Sequence, residues 1–215
     1  LTDDSGDGTL ADGLDRIDPA NVDPADTTTS TSAVVGVSGF SESFDFAADA
    51  TGWSYADDTF RGTAQPGNAS GQYQTGNLQV RLGDAATPAT SGGWSHEITL
   101  ASAQTVDISF AYNLTVSGEM ENTEWGEVLL SVDGTLIGAG ANDYVARLLG
   151  PNLAGSSNPT TGWQQFTTSV ALAAGTHTIV IGGSSTSLTL ADEWVEVLLD
   201  DVSIGASGGG TPYAQ

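Results

Sequence analysis

The sequence predicts an all-β chain: an antiparallel β-sandwich, jelly-roll-like, with its long loops clustered at one end. Three observations carry this expectation. Apolar residues make up 39% of the chain and recur with a period of two or in strand-sized runs. The 28 Gly, with abundant Thr, Ser and Val, favour strands and turns over helices. Tight turns alternate along the chain with connections far longer than a turn needs. At 215 residues there is room for one sizeable domain and a tail, and no run of about 18 apolar residues exists that would insert into a membrane.

Residues 1–32 are acidic and rich in Asp, Gly, Pro and Thr. Asp3-Asp4-Ser5-Gly6-Asp7-Gly8 puts oxygen side chains at alternate positions before a Gly, as an EF-hand loop begins, but Leu14 stands where that loop needs a bidentate Glu. The segment reads either as a linker or as a calcium loop of another kind, with Asp3 and Asp7 as its ligands. Residues 33–205 carry the sandwich. Phe40, Phe44 and Phe46 alternate onto one face, Gly52-Trp53 follows, and 57–76 is polar and Gly-rich. Strands are predicted over 77–82, 94–100 and 105–114, the last with Val106, Ile108, Phe110 and Tyr112 facing in. Strands at 127–132 and 135–139 make a hairpin across Asp133-Gly134. Residues 144–149 read as a short strand or a helical turn, 162–172 and 177–183 as strands paired across 173–175, and 194–204 as the closing strand. Residues 206–215 are a Gly-rich tail ending in Thr211-Pro212-Tyr213-Ala214-Gln215, a domain exit or a tethered ligand-like peptide. With Met120 the only Met and no signal-peptide pattern, the chain reads as a monomeric module of something longer.

The long connections fall at 83–93, 115–126, 140–161 and 184–193, alternating with tight ones at 101–104, 133–134 and 173–175. In an up-and-down succession alternate connections share an end, so all the long loops should meet. This bears on a stretch that occurs twice: Glu124-Trp125-Gly126-Glu127-Val128-Leu129-Leu130 returns as Glu193-Trp194-Val195-Glu196-Val197-Leu198-Leu199. Both copies begin strands that run the same way, and both Glu-Trp pairs should open onto one end. Trp125, Asp143, Tyr144, Arg147 and Trp194 are the candidate ligand-binding residues there.

The 27 acidic residues against four Arg and no Lys give a net charge of −23. That excludes nucleic acid and anionic membranes as partners, and bound cations would relieve the self-repulsion. Calcium takes about six to eight oxygens, and Glu119, Glu121, Glu124, Asp192 and Glu193 converge as a candidate cage; the alternative is a solvated acidic rim. Glu42 or Asp45 with Asp200 or Asp201 forms a second candidate, since two Asp in an apolar final strand are costly to bury unpaired. More than one calcium ion is therefore expected. Zero Cys rules out disulfides and thiolate sites. The five Trp either form core or offer sugar-stacking surfaces; Trp163, mid-fold, reads as core. His96 and His177 lie far apart, no nucleophile elbow occurs, and the acids sit among too many charges for a glycosidase pair. The expectation is no enzyme.

The frame Phe44-Asp45-Phe46 with Gly52-Trp53, and the closing Leu198-Leu199-Asp200-Asp201-Val202-Ser203-Ile204, resembles bacterial jelly-roll modules: carbohydrate-binding modules and the ligand-binding domains of calcium-dependent RTX-type adhesins. The resemblance implies a structural calcium at Glu42, Asp45, Asp200 or Asp201. It also implies an extracellular or cell-surface, calcium-dependent adhesion module that binds a peptide or protein terminus on a target cell. Glycan binding, as in a carbohydrate-binding module, and a calcium-stiffened spacer are the alternatives. No repeat-in-toxin nonapeptide is present.

Overall fold

Over 78–82, 106–116 and 195–199 every second residue is apolar and buried, and that periodicity turns one face of a sheet towards the core. The computed structural model describes residues 40–151 and 155–208; the expectations for Asp3, Asp7 and the peptide at 211–215 lie outside the described residues. All regular structure among them is strand. In chain order these are β1 (Ser41–Phe44), β2 (Ser54–Asp57), β3 (Ala69–Gln74), β4 (Asn77–Gly83), β5 (Thr90–Leu100), β6 (Gln104–Val116), β7 (Trp125–Val132), β8 (Thr135–Ile137), β9 (Ala146–Leu149), β10 (Gln164–Leu172), β11 (Gly175–Ser185) and β12 (Trp194–Ala206).

They form two six-stranded antiparallel sheets, a β-sandwich of the jelly-roll class. One runs β10-β6-β12-β4-β3, with β1 also on β12; the other runs β2-β5-β11-β7-β8, with β9 also on β7. The core fills the space between them. Val106, Ile108, Phe110 and Leu114 from β6 are fully buried, as are Val128, Leu130, Ile179 and Ile181 from the opposite sheet. Burying one such side chain stabilises by about 1.5–3 kcal/mol. The Asp133-Gly134 turn has φ of 51° and 78°, both left-handed as a type I′ hairpin requires, and the Asp133 carboxylate also meets His177 Nδ1 at 2.7 Å.

Several expectations change. Residues 162–172 and 177–183 do not pair with each other: β10 pairs with β6 at the edge of one sheet, whereas β11 lies between β5 and β7 in the other. A period of two sets which residues face in but not which strand lies alongside. The stretch 57–76 holds a strand, β3, whose apolar alternation is broken by Gly71. A Cβ on Gly71 would fall 2.0 Å from the Tyr55 ring, so the glycine is there to admit the ring. β5 begins at Thr90, shortening the first long loop, and 146–149 is strand. Trp53 and Trp94 are core, but Trp163 is 48% exposed, because β10 starts after it at an outer edge. Asp200 and Asp201 occupy a β-bulge where the β12–β6 register shifts, with Asp201 at φ 48°. The bulge turns Asp201 out to solvent, so the pair is not sealed inside an apolar strand.

Phe110→Ala is expected to lower stability by about 3–5 kcal/mol, read by urea unfolding, while Trp163→Ala should stay within about 0.5 kcal/mol.

Candidate functional site

The long connections meet at one end, as their alternation predicted. Thr87 and Leu188 bridge the loops after β4 and β11. Thr115 bridges Thr160, and Gly118 N donates to Asn158 Oδ1 at 2.8 Å, joining the loops after β6 and β9. Met120, fully buried, pins the first of these to the core. Two glycines permit the approach. Gly150 N donates to Glu124 O at 2.9 Å, and a Cβ there would lie 2.4 Å from the Glu121 and Met120 carbonyls. Gly83, at φ 90°, packs against Leu188 and the Glu193 carbonyl with no space for a side chain.

Glu121, Glu124 and Glu193 come together here, each offering a carboxylate oxygen within 4.8 Å of the other two. Glu124 is 4% exposed and Glu193 not at all. Their outer oxygens are used locally. Thr189 N donates to Glu193 Oε2 at 2.5 Å and to Glu124 Oε1 at 3.1 Å, and Leu190 N donates to Glu193 Oε2 at 2.7 Å. Glu121 N donates to Glu124 Oε2 at 3.0 Å. Glu193 Oε1 is buried with no hydrogen-bond partner. Burial, then the Glu121 carboxyl beside it, pushes the Glu124 acid up to about 7, while hydrogen bonding from Glu124 holds Glu121 below its usual range.

Glu119 and Asp192 do not join the group. Glu119 Oε1 accepts from Gly155 N at 2.8 Å, bracing one loop on another, and Asp192 is exposed, contributing only its carbonyl, to Ser117 Oγ. The second predicted group is brought together in part: Asp45 lies within electrostatic reach of Asp200 and Asp201 adjoins it, whereas Glu42 is engaged elsewhere. Glu42 Oε2 meets His96 Nε2 at 2.5 Å, and Asp45 Oδ1 accepts from Ala47 N. Asp200 is raised chiefly by burial, with Asp201 and Asp45 adding repulsion.

The twice-used stretch builds the same contact set in both sheets. Arg147 lies over the Trp125 ring at 4.9 Å, and Arg81 over the Trp194 ring at 3.8 Å. Each Arg stands directly across the ladder from the second Glu of its copy, Arg147 from Glu127 and Arg81 from Glu196, and pairs with it. Sequence reasoning missed Glu127, which is 1% exposed. Arg61 Nε reaches its Oε2 at 2.6 Å, Arg147 Nε its Oε1 at 2.8 Å, and Ser184 donates at 3.1 Å. Arg61 also grips both Asp143 oxygens, and Arg147 lies over the Tyr144 ring as well, at 4.3 Å. The spacing of Trp125 and Glu127, two apart on one strand face, was the available signal.

A shallow cleft of about 550 Å³ opens beside the three glutamates. Trp125, Glu121 and Glu124 line it with the hydroxyl-bearing Thr123, Thr186, Ser187 and Thr189, and with Ala89. Trp194, on the other sheet, is not among the residues that line it.

Two outcomes follow from these charges. With its acid raised above the ordinary value, Glu124 adds stability below about pH 4.5 and loses it as pH rises through about 7. In chelating buffer, Glu124→Gln should therefore gain on the unsubstituted chain between about pH 5 and 8, read as melting temperature. Glu127→Gln should cost about 2–3 kcal/mol in urea, less than the ~3–5 kcal/mol of a fully buried pair, because Arg61 and Arg147 are 30% and 32% exposed.

No family model and no curated protein matches this chain. Among solved structures, it is similar to a family 35 carbohydrate-binding module from Paenibacillus barcinonensis at 14% identity, covering 78% of this chain and 99% of that one, with a TM-score of 0.36. A family 35 module from Clostridium thermocellum matches at 13% identity over 77% and 97%, TM-score 0.35. A variant of a family 29 carbohydrate-binding module, complexed with mannohexaose, matches at 8% identity over 78% and 92%, TM-score 0.40. At such values the function has to be argued from this chain's own residues.

Proposed function

We propose that the protein is a binding module that takes a glycan in the cleft beside Trp125. The observation that supports this is the lining: one indole, four hydroxyl-bearing side chains and two carboxylates around an open depression. A polyhydroxylated ligand has apolar C–H faces for the ring and hydroxyls for the polar rim. Arg147 stacks on the Trp125 ring and is itself held by Glu127 and Tyr144, so the indole is pre-set and little side-chain entropy is lost on binding.

Capture of a peptide or protein terminus, which the resemblance to adhesin modules implied, has its own support. Leu149, opposite Trp125 on the ladder, and Leu190, next to Thr189, are 53% and 47% exposed. They would serve apolar side chains better than sugar.

Both readings are tested on the full chain by arrays of glycans and of peptides with free termini, followed by titration of the best binder. The expected outcome is glycan binding that weakens at least about 10-fold in Trp125→Ala, by the worth of one stacking contact, and is unchanged in Trp194→Phe. Peptide binding alone would establish the second reading. Glycan binding sensitive to Trp194 and not to Trp125 would place the site elsewhere.

A further inference from the structure

Three carboxylates with oxygens within 4.8 Å of one another repel, and this group has a feature that repulsion alone does not explain. Glu193 is completely buried, its Oε2 accepts two backbone N–H bonds, and its Oε1 has no partner. A buried carboxylate oxygen left bare costs about 1–3 kcal/mol or more, and here no Lys, Arg or His among the described residues forms an ion pair with Glu121, Glu124 or Glu193. Elsewhere the protein supplies cations with care: Glu127, the other buried acid of the repeated stretch, has two guanidinium groups.

From this we infer that Glu121, Glu124 and Glu193 bind a divalent cation, with calcium the best fit. Oxygens bound to one calcium at about 2.4 Å can be no more than about 4.8 Å apart, and these three satisfy that bound. The donor set is all oxygen, which suits a hard cation over zinc or copper. The three residues come from loop and strand entrances of both sheets, a setting able to adapt to calcium's loose geometry more easily than to magnesium's strict octahedron. The cation would join the loop before β7 to the entrance of β12. Its remaining positions would face the cleft, where Glu121 is half-buried, and there water or a ligand hydroxyl can bind it. The ion goes beyond the glycan reading and stands or falls without it.

The test uses the full chain stripped with chelator and titrated with calcium chloride, by calorimetry and by melting temperature. Because other acids could also take calcium, the decisive quantity is the difference between variants. The expected result is that Glu121→Gln and Glu193→Gln each lose one ion's worth of stoichiometry, or weaken it at least about 10-fold, and lose most of the calcium-induced rise in melting temperature. Asp192→Asn, an equal charge change on an exposed neighbour, should leave both unchanged. Glu121→Gln keeps the test sound if the buried Glu193 variant fails to fold. No saturable calcium binding, or binding that both Gln variants leave intact, overturns the inference. Glycan binding is measured separately, with and without chelator. Calcium uptake without glycan binding supports the ion and sinks the function above, whereas glycan binding without calcium uptake does the reverse.

Discussion

The loop end is held together by carboxylates acting as hydrogen-bond acceptors. In the connection between β11 and β12 the backbone amides of Thr189 and Leu190 are directed at carboxylates. Glu193, from the start of β12, accepts from both, and Glu124, from the start of β7, accepts from Thr189 as well. One loop is thereby fastened to both sheets. Glu193 has to be buried to do this, Glu124 has to sit beside it, and Glu121, whose own amide donates to Glu124, is drawn in. The same anchor that fastens the loop thus brings the three carboxylates together beside the cleft.

The repeated stretch describes a local solution used in two places. Its first Glu turns into the loop end, its Trp lies under an Arg from the neighbouring strand, and its second Glu pairs with that Arg across the ladder. The neighbours are unrelated: β9 supplies Arg147 for one copy and β4 supplies Arg81 for the other. Cross-strand Arg–Glu pairs and an Arg stacked on an indole are each worth only about 0.2–1 kcal/mol on a surface. Used together, they hold a bulky ring at a strand entrance in a fixed pose.

Much of this was legible in the sequence for identifiable reasons. Strand β6 alternates without a break because one of its faces is wholly core, and Asp133-Gly134 accepts left-handed φ values that few other pairs do. The meeting of the long loops followed from counting connections, which does not depend on which strands pair. Pairing itself was not legible: β10 and β11 are joined by a short turn, yet they lie in opposite sheets. Within the site, Glu121, Glu124 and Glu193 were identifiable because they lead into strands, but Glu119 and Asp192 carry the same chemistry and point elsewhere. Nothing local separates them. Arg61 was invisible as a partner of Glu127 because the two are 66 positions apart in the chain.

The pairing of β1 with the end of β12 has a mechanical meaning. Ala206 N donates to Phe40 O at 2.7 Å, so the chain enters and leaves this unit side by side. The two strands are antiparallel over Ser41–Phe44, and tension applied between the residues before 40 and those after 208 would act across that short ladder at its open end. The bonds would then break in turn, as a zipper parts, and no set of them would share the load in shear. Resistance to stretching would depend on the single hydrogen bond at the fork at each moment, however stable the sandwich is in solution.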